Sequence, residues 1–193
     1  LDHEDPRRVQ VLSTLAAHLT FDDDRQRRVQ LLAEADSLAR RLDDPALVGT
    51  VLVAEYLCLW DPTTFERRAD VVRELRRVAR ASGDVDHTFF AGFLAAICAV
   101  ERAQLDDAVE LLRGLDEAIT ATQNFYFRFL VNRLLVSIDV YRCKPDVQPA
   151  IDELAARYDD THADTRGTWA LQTGFVAFRA GQLATLLPAL REM

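Results

Sequence analysis

Apolar residues recur every three or four positions along almost the whole chain, the spacing of one face of an α-helix, and the sustained alternation that a strand needs is absent. Val9, Leu12, Leu15, Ala16 and Leu19 form the first stripe behind Asp5-Pro6, an N-cap followed by proline at the first helical position; this helix is expected to end near Thr20. Asp22-Asp23-Asp24 places negative charge at the start of a second, whose stripe is Leu31, Leu32, Ala35, Leu38, Ala39 and Leu42. Asp44-Pro45 repeats the signal before a nearly apolar third helix over residues 46–60, expected to be buried on most sides. After Asp61-Pro62, Phe65, Ala69, Val72, Leu75 and Ala79 mark a fourth, closed by Ser82-Gly83-Asp84.

Phe89, Phe93 and Ile97 dominate a fifth helix, and Leu105, Ala108, Leu112, Leu115 and Ile119 are read as the single stripe of a sixth. Phe125, Phe127, Phe129, Leu134 and Ile138 fill a seventh, an eighth starts near Asp146 with Pro149 in its first turn, Trp169, Phe175 and Phe178 mark a ninth, and Leu183, Leu186, Leu187 and Leu190 begin a tenth. Sliding the sequence along itself by one constant interval aligns Leu31-Leu32-Ala33-Glu34-Ala35 with Val71-Val72-Arg73-Glu74-Leu75 and then with Leu111-Leu112-Arg113-Gly114-Leu115, and aligns Asp44 with Asp84 and Asn124. A fixed period in this range is the signature of a helical repeat. The expectation is an all-α protein of about ten helices in antiparallel pairs, forming one repeat domain over residues 1–193.

The elbow Ala103-Gln104-Leu105-Asp106-Asp107-Ala108 resembles the junction of a tetratricopeptide repeat (TPR), where a turn leads into an Ala that packs under the preceding helix. Four segments are similar to the helical repeat region of large actinobacterial multidomain ATPase regulators related to the maltose-regulon activator: Leu38-Ala39-Arg40-Arg41-Leu42-Asp43-Asp44-Pro45, Leu59-Trp60-Asp61-Pro62, Phe125-Tyr126-Phe127-Arg128 and the run from Gly181 to Leu190. The resemblance implies a TPR-like right-handed α-solenoid that senses or docks, in a protein carrying a nucleotide-binding module elsewhere. No G-x-x-x-x-G-K-[S/T] loop occurs in this sequence, so nucleotide binding is not expected of this chain itself.

Composition narrows the classes further. The net charge of −8 repels phosphate backbones, so direct nucleic-acid binding is not expected. Cys58, Cys98 and Cys143 are an odd number inside apolar runs, which fits small core residues in a reducing cytoplasm rather than disulfides. No signal peptide is visible, and the longest nearly uncharged run, residues 88–100, is too short for a bilayer. A chain opening at Leu1 and stopping at Met193 inside a helical pattern is expected to be a piece of a longer polypeptide.

Candidates for chemistry are few. His3, His18, His87 and His162 are scattered without metal-ligand spacing, and Asp159, Asp160 and Asp164 around His162 read as a solvated acidic loop. Asp106 and Asp107 suit a helix N-terminus, and no nucleophile has a partner pattern, so neither an enzyme nor a cofactor or metal site is expected. Arg67, Arg68, Arg73, Arg76, Arg77 and Arg80 are interleaved with Glu66, Asp70 and Glu74 at helical spacing and read as a face of weak ion pairs. The aromatic residues concentrate in the odd-numbered helices, and Tyr56, Trp60, Phe89, Phe93, Tyr126, Phe129 and Trp169 are candidates for a groove that takes a protein segment or a neighbouring domain of the same polypeptide. The alternatives are core packing of the same rings, a small-molecule sensor with a ligand between helices, and a homodimer.

Overall fold

Short Asp and Asn side chains cap the start of several helices. In a computed structural model that describes residues 5–158 and 164–186, the carboxylate of Asp5 accepts from the Arg7 amide at 2.9 Å, Asp44 from Ala46 at 2.8 Å and Asp84 from His87 at 2.8 Å, and the Asn124 side-chain oxygen accepts from Tyr126 at 2.9 Å. Each satisfies an amide that the helix leaves unpaired at its start. The described residues are helical and contain no strand: α1 (Pro6–His18), α2 (Arg25–Arg41), α3 (Pro45–Cys58), α4 (Phe65–Ser82), α5 (Val85–Glu101), α6 (Leu105–Arg113), α7 (Asp116–Thr122), α8 (Phe125–Tyr141), α9 (Gln148–Tyr158) and α10 (Asp164–Arg179), with short 3-10 turns at Pro62–Thr64 and Leu183–Leu186.

The period of the sequence is also a period of the backbone. Pro45, Val85 and Phe125 open α3, α5 and α8, and Arg25, Phe65 and Leu105 open α2, α4 and α6, all at one constant interval. Left-handed residues end the helices at the same interval, with Asp43, Gly83 and Gln123 at φ 52°, 66° and 49°. A second set, Ala103, Cys143 and Gly181 at φ 58°, 57° and 69°, forms an elbow in which the next amide returns to a carbonyl five positions back: Gln104 to Ala99, Lys144 to Asp139 and Gln182 to Ala177, at 2.9, 3.1 and 2.7 Å.

Three boundaries differ from the expectation. The single sixth helix is two, because the chain tightens at Gly114, a poor helix former, and Asp116 and Glu117 start a new first turn. The break lets buried Leu115 turn in over α5, where a Cβ added to Gly92 would meet its Cδ2 at 2.5 Å. The third helix stops at Cys58 rather than Trp60, because Asp61 caps the 3-10 turn through the Thr63 amide at 2.7 Å. Leu183 and Leu186 bound a 3-10 turn, while Leu187 and Leu190 lie outside the described residues.

The chain divides into two compact units, residues 1–122 and 123–193. In the first, α1 packs on α2 and α3, α3 on α2, α4 and α5, α4 on α5, and α5 on α6 and α7. Its core is sealed around Leu38, Leu52, Tyr56, Leu75, Phe89 and Leu112, each no more than 1% exposed. In the second unit α8, α9 and α10 pack on one another. Phe129, Leu154 and Tyr158 form one cluster and Val140, Val147 and Ile151 another, with Val136 packed against both.

Candidate functional site

The seven aromatic candidates separate into rings that hold the core and rings that reach the surface. Tyr56, Phe89 and Phe129 are fully buried and Phe93 is 4% exposed, so these four present no face to a partner. The reason is their neighbours. Phe89 and Phe93 stack at 5.7 Å, Phe129 packs on Tyr158 at 5.2 Å, and the Tyr56 hydroxyl lies 3.7 Å from Cys98 Sγ between α3 and α5. Burial pushes both the Tyr56 phenol and the Cys98 thiol up from their ordinary pKa values. Trp60 and Tyr126 remain 53% and 39% exposed, whereas Trp169 is half-buried and donates its indole N–H to Asp152 at 2.8 Å.

Trp60 stands where two clefts meet. On one side a cleft of about 440 Å³ runs between α2 and α4 with α3 as its floor; Phe21, Val29 and Trp60 supply exposed apolar surface, and Arg40, Arg67 and Glu74 stand along it. Several of its charges are matched in place: Arg40 bridges Asp36 at 2.9 Å and Glu74 at 3.1 Å, Arg67 bridges Glu55 at 2.6 Å, and Arg28 donates to the Leu19 and Asp22 carbonyls. The two carboxylates raise the Arg40 pKa, its hydrogen bond to Asp36 contributing most. Bridged charges of this kind add little to stability but hold the walls in register.

On the other side a cleft of about 400 Å³ is lined by Trp60, Asp61, Pro62, Phe65, Arg68 and Glu101. Arg68 is 4% exposed, and its guanidinium donates to both oxygens of Glu101 at 2.8 Å. It also lies 5.7, 5.8 and 5.9 Å from the ring centres of Tyr56, Trp60 and Phe65. A two-pronged ion pair packed against aromatic faces is the arrangement in which an arginine can be taken out of water. Asp61 at the rim is held below the usual carboxylate range, mainly by the side-chain hydrogen bond from Thr63.

A third cleft, about 640 Å³, repeats the first one period later between α4 and α6, over α5. Asp36, Arg40, Val51, Arg67 and Glu74 of the first cleft become Arg76, Arg80, Ala91, Asp107 and Gly114, each displaced by the full repeat. Glycine at 114 removes the carboxylate that closes the earlier wall. Arg67, Arg68, Arg73 and Arg77 pair with Glu55, Glu101, Asp70 and Glu74, respectively, and Arg76 and Arg80 face a wall carrying Asp107 and Glu110, so α4 does not offer a continuous basic surface.

Among the described residues no group of three or more His, Cys, Asp or Glu is placed to hold a metal ion, and no helix is long and apolar enough to cross a membrane. His3, His162, Asp159 and Asp160 lie outside the described residues. His87 is buried, its ring against Gly49 and Nε2 3.4 Å from the Thr50 hydroxyl. No protein family, curated protein or solved structure matches the chain.

The sequence pattern does not single out Phe21 or Val29, although Phe21 is 90% exposed. The available signal was its position: an aromatic residue directly before Asp22-Asp23-Asp24, outside any helical stripe.

Proposed function

We propose that the chain is a non-catalytic protein-interaction module, a TPR-like right-handed solenoid that takes a segment of a partner protein, or of a neighbouring domain of its own polypeptide, in the cleft beside Trp60. The observation that carries this reading is the half-exposed Trp60 ring on the wall between two clefts, with Phe21 and Val29 exposed along the first. Large aromatic anchors in a cleft, bordered by charges already matched to one another, are what a binding hot spot requires. The solenoid is supported by the contact order of residues 1–122, in which α1, α3 and α5 pack in succession and α2 and α4 each touch the helices before and after them. The resemblance to repeat regions of cytoplasmic ATPase and transcription regulators points to a docking or regulatory segment of such a protein.

The test is affinity measured by titration calorimetry for peptides selected by display on the chain. Trp60→Ala should weaken binding at least tenfold, about 1.4 kcal/mol or more, while the circular dichroism stays that of the folded helical chain. Selected peptides that bind Trp60→Ala as tightly as the parent would sink the assignment. A second reading, a small-molecule sensor, is favoured by the Arg68 cleft, whose volume lies within the range of ligand pockets. A metabolite that raises the melting temperature of the parent and not of Trp60→Ala would support it.

A further inference from the structure

An exposed apolar face does not say what covers it: on α10, Leu171, Phe175 and Phe178 are 77%, 40% and 64% exposed and carry no charge that would name a partner. The cleft between α4 and α6 differs, because the repeat supplies a filled copy of it. In the first cleft the Arg40 guanidinium of α2 is held twice, by Asp36 one turn back at 2.9 Å and by Glu74 of α4 across the gap at 3.1 Å. One period on, the arginine stays as Arg80 and both carboxylates go, Asp36 giving way to Arg76 and Glu74 to Gly114. The ion pair from Arg67 to Glu55 is lost as well, since the corresponding positions hold Asp107 and Ala95.

Each of these ion pairs is missing from the copy, yet charges remain on both of its walls. Among the described residues Arg76 and Arg80 have no ion-pair partner, and both are exposed along the cleft. Like charges one turn apart on a helix repel, so an anion set against the two would relieve them. Asp107 and Glu110 stand exposed on the α6 wall and are likewise unbridged among the described residues. The floor is also lower, with Ala91 where the first cleft has Val51, and the open volume is about 640 Å³ against about 440 Å³.

We propose that this cleft docks a segment of a partner protein that carries an acidic side chain beside a basic one. The partner's carboxylate takes the place at Arg80 that Glu74 takes at Arg40, and its basic group meets Asp107 and Glu110. A guanidinium grips a carboxylate through two parallel N–H bonds, which fixes orientation as well as affinity. The acidic α6 wall supplies the selectivity: a ligand bearing negative charge alone is repelled there, which disfavours phosphate and nucleic acid. The site is independent of the Trp60 cleft, and either assignment can fail alone.

The probe is a set of peptides selected by display on the full chain carrying Trp60→Ala, so that the other cleft lacks its ring, with affinities measured by titration calorimetry. Selected sequences should pair an Asp or Glu with an Arg or Lys, and adding Arg80→Gln should weaken binding at least tenfold. Gly114→Glu is the sharper variant. The backbone there, at φ −66°, suits any residue, and an added Cβ lies 3.4 Å from the nearest atom it meets, the Leu111 carbonyl oxygen. Its carboxylate should occupy Arg80 and exclude the peptide, while the helical circular dichroism stays the same. Arg73→Gln, on α4 outside the cleft, should leave the affinity unchanged. A selection that yields no binder, peptides that need no acidic residue, or peptides that bind the Gly114→Glu and Arg80→Gln variants undiminished overturn the proposal.

Discussion

α5 and α10 end in the same elbow and bury opposite kinds of residue. α5 packs against α3, α4, α6 and α7, and hides Phe89, Phe93, Leu94 and Ala96. α10 packs against α8, α9 and the 3-10 turn that follows it, and hides two threonines, a glutamine and an alanine. Its interface joins the packing of Trp169 and Val176 on Val140, Val147 and Ile151 to hydrogen bonds: Gln148 to Thr173 at 3.0 Å, Thr165 to the Tyr158 carbonyl at 3.1 Å, and the Gln172 pair onto α8. Each such bond contributes about 1 kcal/mol net, whereas a buried phenylalanine contributes about twice that or more. The pair teaches that an apolar stripe identifies a helix face meant for company, and that the neighbours present decide whether the face is core or surface.

Truncating matched rings is the strongest way to break this comparison. Phe89→Ala should cost about 3–5 kcal/mol in urea unfolding, because it empties a sealed position, while Phe178→Ala at micromolar concentration or below should stay within about 0.5 kcal/mol. A loss of about 2 kcal/mol or more at Phe178 in a monomeric sample would mean that its ring is covered within the chain. Glycines sharpen the same contrast with a smaller effect. Gly92→Ala places a Cβ 2.5 Å from Leu115 Cδ2 and should destabilise by about 1–3 kcal/mol, whereas Gly174→Ala in α10 meets nothing within 4 Å and should stabilise by about 0.5–1 kcal/mol. Equal responses at the two glycines would remove the difference in packing.

The repeat was legible because its punctuation is local. Asp5, Asp44, Asp84 and Asn124 cap through bonds to amides two or three positions on, and the turn residues act through their own φ angles, so a short window of sequence contains the cause. The break at Gly114 was not legible, since one glycine costs a helix only about 1 kcal/mol and the reason to stop, Leu115 reaching over Gly92, lies on another helix. Four of the groove candidates, Tyr56, Phe89, Phe93 and Phe129, turned out to be core for a reason of the same kind. Tyr56 and Trp60 are one helical turn apart with similar surroundings in sequence, yet α5 closes over Tyr56 while α3 has already ended before Trp60. The sequence pattern finds faces, and long-range contacts sort them.

The smallest expected effect concerns pH at the α3–α5 crossing. The Tyr56 phenol and the Cys98 thiol hold their protons more tightly in the folded chain than their ordinary values of 10.0 and 9.0, chiefly because burial disfavours the charged forms. Above the ordinary thiol value the unfolded chain therefore releases protons that the folded chain keeps, which favours unfolding. The contribution is absent at neutral pH and grows as pH rises through 9 and then 10. α10 buries neither a tyrosine nor a cysteine, so this alkaline slope belongs to the unit that contains α5, where burial also pushes up the Cys58 thiol at the end of α3. Tyr56→Phe combined with Cys98→Ala should flatten the decline of unfolding free energy between pH 8 and pH 10.5, whatever it does to stability at pH 7. Profiles of the parent and the double variant that run parallel over that interval would show that neither group titrates differently on folding.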